Sequence, residues 1–416
     1  MNDYLLQLFK NTIGEYEMGL IYTLVKNEII NKESIVKTLV DANMSNEEKS
    51  TYALKLAIEL KDITLKELED IVVIMGNTKD IFDFAKNVKW ANINKLAKAT
   101  INNGDSGDII IFAKHIKNAP INELAKAVTD SRDGRAIYYF ALGVKNAPII
   151  ELEKAMCELK TFNTKFAYYF AKNVSLNDVE GLTDAVIRGK EDKEIILFAT
   201  KIKGANILKL ENAICANGKV KSIYEFALMV SNANKKKLTS AFMKNYFNEN
   251  ELLCNFALLP GVDLNIINRT LIKKYQEHKI LIKDIIQYIK VLQNSKKLPI
   301  NKFIDAVIKC GSEKDIVKFA IEVKEAPVDM LADALLETNG SNKDYWIYKF
   351  VKEVKEAPIK KLYGGLKKNK RKAMCEIQYD EKYLKILELV RNKDINGLEE
   401  YKSLLNEDMT LTRKIR

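Results

Sequence analysis

The sequence predicts an all-α protein: a right-handed-type α-solenoid of about eleven helix–turn–helix repeats, each ~28 residues long, with a helical cap at each end. Three observations predict it. One motif recurs along most of the chain, its apolar positions have helical spacing, and the 416 residues include only 17 Gly and 6 Pro. A β-rich or α/β chain of this length needs more tight-turn residues than that.

The motif is clearest where FAKHIKNAPINELAKAV (112–128) is followed by FALGVKNAPIIELEKAM (140–156) and preceded by FAKNVKWANINKLAKAT (84–100). Related copies begin at Phe170, Phe198, Phe226, Phe256, Phe319 and Phe350, a weaker one at Leu56, and one more with its first position near Val291. The commonest spacing is 28 residues, as from Leu56 to Phe84 to Phe112 to Phe140.

With the leading Phe as position 0, the first half of each unit is apolar at −3, 0, +1 and +4, as in Ile109, Phe112, Ala113 and Ile116. These residues form one face of a helix. The second half is apolar at +9, +12, +15 and +16, as in Ile121, Leu124, Ala127 and Val128. Position +8 is Pro120, Pro148, Pro299, Pro327 or Pro358 in some units and Asn92, Asn206 or Asn234 in others. Both residue types mark the start of a second helix, Pro in its first turn and Asn at its cap. A single hairpin cannot bury both of its faces, and stacked neighbours can. Alanines at +1 and +15 allow helix axes to approach closely, so Ala127→Leu is expected to overpack by about 1–3 kcal/mol.

In chain order, residues 1–50 lack the motif but carry helical patterns and are expected to form the N-terminal cap. Residues 51–366 are the solenoid, irregular at 257–298, where either a longer helix or a change of curvature fits. Residues 367–416 are charged, helical in pattern, and expected to form the C-terminal cap. Through its paired short helices the chain resembles the general class of HEAT-like and TPR-like helical repeats. That resemblance is architectural and implies no functional residue.

The chemistry-bearing motifs are missing. The sequence has no Walker A loop, no dinucleotide-binding glycine pattern, no nucleophile elbow and no H-E-x-x-H. His115 and His278 lie far apart, and the five cysteines form no C-x-x-C pair, so neither a metal site nor a cofactor is expected. His115 falls where other units have Asn87, Gly143, Asn173 and Lys201, a surface position. Scattered cysteines, no signal peptide and no long apolar run lead to the expectation of a cytoplasmic protein with no membrane partner. Frequent Asn, Ile and Lys fit an AT-rich bacterial or phage genome.

The formal charge is +11, carried by 59 Lys and only 8 Arg among the 67 basic residues. Arg is the usual choice for reading phosphates and bases, so much of this charge reads as solubility. Position +5 is Lys in eight units, at Lys61, Lys89, Lys117, Lys145, Lys203, Lys296, Lys324 and Lys355. That ladder is either a polyanion track or a set of cations at helix C-termini. A denser cluster, Lys360, Lys361, Lys367, Lys368, Lys370, Arg371 and Lys372, is either a solvated linker or a contact for an anion or nucleic acid.

Position −1 is polar in several units but apolar in four consecutive ones: Ile111, Tyr139, Tyr169 and Leu197, with Tyr138 and Tyr168 beside them. These side chains are expected to align across neighbouring hairpins, either as an exposed aromatic strip or as extra core. Exposed aromatics mark protein contacts. Trp90, in a turn, is either a packing plug or a contact residue. The functional expectation is a non-enzymatic scaffold, adaptor or inhibitor that grips a protein partner, with no small-molecule substrate. The alternative is a nucleic-acid-binding solenoid using the Lys-rich surface.

Overall fold

The computed structural model of the protein describes residues 23–27, 29, 31–60, 63–160, 164–247, 249–293 and 300–366. Among them every regular element is a helix and none is a strand. The chain divides into two compact units, 1–233 and 234–416. The boundary falls between the helices Val220–Met229 and Lys235–Asn245.

In the first unit, α1 (Lys32–Asp41) precedes five hairpins: α2 and α3 (Asn46–Glu59, Lys66–Met75), α4 and α5 (Thr78–Asn87, Ile93–Asn103), α6 and α7 (Ser106–His115, Ile121–Asp130), α8 and α9 (Gly134–Gly143, Ile149–Glu158), and α10 and α11 (Lys165–Asn173, Val179–Gly189). They are followed by α12 and α13 (Asp192–Lys201, Ile207–Asn217) and by α14 (Val220–Met229). The second unit holds α15 (Lys235–Asn245), α16 and α17 (Asn250–Ala257, Leu264–Gln276), and α18 and α19 (Ile282–Gln293, Asn301–Cys310). It continues with α20 and α21 (Glu313–Glu322, Val328–Glu337), then α22 and α23 (Lys343–Glu353, Ile359–Tyr363). Within each unit the substantial contacts join helices one or two places apart. Thus α8 touches α6, α7, α9 and α10, and α20 touches α18, α19, α21 and α22. Helices packed only on their near neighbours in sequence are the arrangement of a helical repeat.

The core is the repeat pattern itself. In the first unit Phe84, Phe112, Phe140, Phe170, Phe198 and Phe226 at position 0 have no exposed surface, nor do Leu96, Leu124, Leu152, Leu182 and Leu210 at +12. Phe256, Phe319 and Phe350 are equally buried in the second unit. The small residue under greatest constraint differs from the expected one. Ala127 at +15 is half-exposed beside a surface cavity that Ile101 and Ile109 also line, leaving room for a larger side chain. Ala125 at +13 is 2% exposed and Ala97 is fully buried, so the overpacking cost belongs there.

The linker inside each hairpin is equally regular. The N–H of Val88, Ile116, Val144 and Ile202, at +4, closes the first helix onto the carbonyl of the leading Phe. The N–H at +7 then reaches back to the +4 carbonyl, as from Ala119 to Ile116 and from Ala147 to Val144, both at 3.3 Å. Such a turn places +6 in the left-handed region: Asn118 (φ 61), Asn146 (φ 59) and Gly204 (φ 82), and likewise Glu325 and Glu356 (both φ 63). The residue at +8 is the N-cap of the second helix whether it is Asn or Pro, with nearly the same backbone at Asn92 (φ −81, ψ 93) and Pro120 (φ −74, ψ 79). Pro therefore sits one residue earlier than the first helical turn. The asparagines accept the N3 amide, at 3.2 Å from Lys95 and 3.1 Å from Lys209.

The irregular stretch resolves into two ordinary helices of 13 and 12 residues, α17 and α18, joined through His278 in the left-handed region. In α18 the fully buried residues are Ile285, Tyr288 and Ile289, with Leu292 1% exposed. Their spacing places position 0 at Tyr288 rather than near Val291. Phe303, Ala306 and Val307 in α19 still keep the register counted from Val291. The register of α19 therefore lies three residues further from position 0 than in other hairpins, shared between a longer α18 and a longer linker. The predicted C-terminal cap, residues 367–416, lies outside the described residues, as do residues 1–22 of the N-terminal cap.

Candidate functional site

The first helices α6, α8, α10, α12 and α14 pack one against the next. Positions −3, 0 and +1 turn inward, so −1, +2 and +3 face outward on each helix. At −1, Ile111 is 49% and Tyr139 45% exposed, while Tyr169 and Leu197 are partly exposed. At +2 and +3 the same face carries Leu142, Leu228 and Met229, each at least half-exposed. The result is an apolar strip crossing consecutive hairpins.

Its centre is a cluster of rings on α8 and α10. The Tyr138 ring lies 5.8 Å from Phe166 and 6.1 Å from Tyr169, and Tyr139 lies 6.3 Å from Phe166. Phe166 and Tyr169 are 5.9 Å apart on α10. Tilted contacts at these separations are favourable for aromatic rings. The two helices of the cluster carry cations and no acids. Neither GRAIYYFALG (α8) nor KFAYYFAKN (α10) contains an acid. The Arg135 guanidinium lies 5.8 Å from the Tyr139 ring centre, the Lys165 ammonium 5.7 Å from Phe166, and that of Lys172 6.0 Å from Tyr168.

Of the seven residues singled out for a protein contact, two lie in the core. Tyr138 is 8% and Tyr168 3% exposed, because each precedes the −1 position and turns toward the neighbouring first helix. The hydroxyl of Tyr138 accepts a hydrogen bond from Nδ2 of Asn173 at 2.9 Å, which removes the cost of burying it. Trp90 packs edge-on against Phe84, 5.5 Å away, and its buried Nε1 has no hydrogen-bond partner among the described residues. It fills its turn as a plug. Phe166, Leu142, Leu228 and Met229 were not singled out from the sequence. Their signal was there: −4, where Phe166 stands, and +2 and +3 each lie about one helical turn from −1.

The Lys ladder sits one residue beyond the first-helix C-cap. Lys89, Lys117, Lys145, Lys203, Lys324 and Lys355 are exposed there, whereas Lys61 and Lys296 lie outside the described residues. In the denser cluster Lys361 is paired with Asp333, and Lys360 is exposed. Lys367, Lys368, Lys370, Arg371 and Lys372 lie outside the described residues.

Among the described residues no group of three or more His, Cys, Asp or Glu side chains is placed to hold a metal ion. Burial, reinforced by Asp178 and Glu153, pushes the Cys157 thiol up to about 12, and burial alone pushes Cys254 to about 11. Both thiols stay protonated at neutral pH, the unreactive form. Asp192 is buried but fully engaged: Nδ2 of Asn217 donates at 2.6 Å, the Ser222 hydroxyl at 2.7 Å, and Lys219 lies 3.1 Å away. No helix among the described residues is long and apolar enough to cross a membrane. No known protein family matches this chain, and no curated protein sequence matches it either.

Proposed function

We propose that the protein is a non-enzymatic cytoplasmic scaffold, adaptor or inhibitor, built of about eleven hairpin repeats in a right-handed array, which engages a protein partner through its first-helix face. The observation that carries this reading is the strip of half-exposed Ile111, Tyr139 and Leu142 with the partly exposed Tyr169 and Leu197, on adjacent helices with cations beside the rings. Large exposed apolar patches on water-facing surfaces mark interaction sites, and Tyr is a favoured anchor. The nucleic-acid reading draws less support, because the Lys ladder follows helix C-termini, where a cation already complements the dipole.

The test uses the double variant Tyr139→Ser, Tyr169→Ser, with capture of partners from host lysate compared with the parent protein. The helical circular dichroism signal is expected to be retained and partner capture lost. Unchanged capture contradicts the reading. Tyr138 and Tyr168 are left intact because they belong to the core.

A further inference from the structure

The second unit carries a feature unrelated to the aromatic strip. The second helices α15, α17 and α19 pack in sequence, and a cavity of about 840 Å³ opens across them. Four cations line it: Lys236 on α15, Arg269 and Lys273 on α17, and Lys302 on α19. Arg269 and Lys273 are one helical turn apart, as are Lys236 and Ser240, so each helix presents its polar groups as a stripe. Arg269 is one of only 8 arginines in the sequence.

Local carboxylates do not cancel this charge. Asp263 also lines the cavity, but it caps α17 and accepts the N–H groups of Asn265 and Ile266 at 3.0 and 3.3 Å. Glu277 approaches Lys273 only to 3.8 Å, from one turn along the same helix. Among the described residues Lys236, Arg269 and Lys302 form no ion pair.

A second, independent observation points inward. Asn268 is 3% exposed and lines the same cavity. Its Oδ1 accepts the Tyr288 hydroxyl at 2.8 Å, which orients the amide and leaves Nδ2 with no hydrogen-bond partner among the described residues. Nδ2 itself is reached by solvent, so a ligand oxygen can take the place of the water that pairs with it. An acceptor-rich anion meets the amide and the four cations together.

We propose that this cavity is a binding site for an oligophosphate, either free or as the tail of a nucleotide. The volume lies within the range of small-ligand sites, about 300–1,000 Å³, and a single phosphate would fill little of it. Arg269 supplies a planar fork that matches two phosphate oxygens, the lysines supply point charges, and Nδ2 of Asn268 donates from the cavity wall.

The test is calorimetric titration of the full chain with tripolyphosphate at about 50 and 200 mM salt. Saturable binding that weakens with salt is expected. The variant Arg269→Gln, Lys273→Gln is expected to lose at least about tenfold in affinity, the scale of two charge-assisted hydrogen bonds. Lys89→Gln, Lys117→Gln, exposed ladder lysines of the other unit, should change it by less than about twofold. A nucleoside triphosphate binding as tightly as tripolyphosphate assigns the site to the phosphates alone, and tighter binding assigns it to a nucleotide. Absence of saturable binding, or equal loss in both variants, overturns the proposal. So does a single-stranded oligonucleotide that displaces tripolyphosphate.

Discussion

Oε1 of Glu69 accepts a hydrogen bond from the backbone N–H of Asn92 at 2.6 Å, joining two successive hairpins through a side chain that is 4% exposed. Glu69 is at +13 of its repeat and Asn92 is the N-cap at +8 of the next. Glu153 repeats the arrangement, accepting the N–H of Asp178 at 3.0 Å, the Ser175 hydroxyl at 2.9 Å and Nδ2 of Asn177 at 3.1 Å. In the second unit Thr239 accepts the N–H of Asp263 at 3.3 Å. Where the N-cap is proline there is no N–H to satisfy. The residue at +13 before Pro120, Pro148, Pro327 and Pro358 is correspondingly apolar: Ala97, Ala125, Ile304 and Ala332. One polar pair and one apolar pair are thus interchangeable solutions to the same junction.

Exchanging one solution for the other tests this directly. Glu69→Ala alone removes the protein acceptor of the Asn92 N–H and is expected to cost about 1–3 kcal/mol. Adding Asn92→Pro removes the orphaned donor at a backbone geometry that already suits proline. The double variant should therefore be more stable than the sum of the two single changes implies, as read in a double-mutant cycle of thermal unfolding. Simple additivity would mean that the two residues are not coupled.

Two buried carboxylates should leave opposite marks on the pH dependence of stability. Burial holds the Glu69 carboxyl above its ordinary value, with the Asn92 N–H and Lys95 pulling the other way. A carboxyl raised in the folded state contributes fully below its unfolded pKa, and that contribution falls as pH rises through the folded value. Burial also opposes ionisation of Asp192, but hydrogen bonds from Asn217, Ser222 and Lys219 outweigh it and the net shift is downward. Its contribution is present above the unfolded pKa and is lost as pH falls through the folded one. Melting temperatures across the acid range should show Asp192→Asn flattening the acid-side loss and Glu69→Gln flattening the decline on the other side.

The linker turn carries a correctable strain. Glu325 and Glu356 occupy the left-handed position that Asn118, Asn146 and Gly204 fill elsewhere. Asn tolerates that conformation better than Glu, so Glu325→Asn is expected to stabilise by about 0.5–1 kcal/mol. Asn118→Val should destabilise by about 1–2 kcal/mol, because a β-branched side chain is poorly accommodated there. Thermal unfolding of the two variants checks both signs.

The helical pairing was legible because position 0 and position +12 are filled by Phe and Leu almost without exception, and burial follows that periodicity. The α18 register was not, because Tyr288 stands where other repeats have Phe and the following linker is longer. Its hydroxyl is satisfied by Asn268, twenty residues earlier in sequence. Tyr138 and Tyr139 could not be told apart by residue type. One is buried and the other half-exposed because neighbouring positions point in different directions around α8, and position −2 is the one turned toward α10. The coupling of +13 to the next +8 is present in the sequence at individual pairs, Glu69 before Asn92 and Glu153 before Asp178 against Ala97 before Pro120 and Ala125 before Pro148. It acquires meaning only once the N–H that the proline lacks is seen to point at that side chain.

The central claim is that successive hairpins stack in single file, each burying the face of the next. The most direct measurement is a pulsed-EPR distance between spin labels at Lys114→Cys and Lys172→Cys in a background without native cysteines. Both sites are at the exposed +2 position, two hairpins apart on α6 and α10. Stacking at ordinary helix spacing predicts one narrow distribution near about 20 Å, widened by the label arms. A broad distribution, or a mean more than twice that distance, contradicts the single-file arrangement.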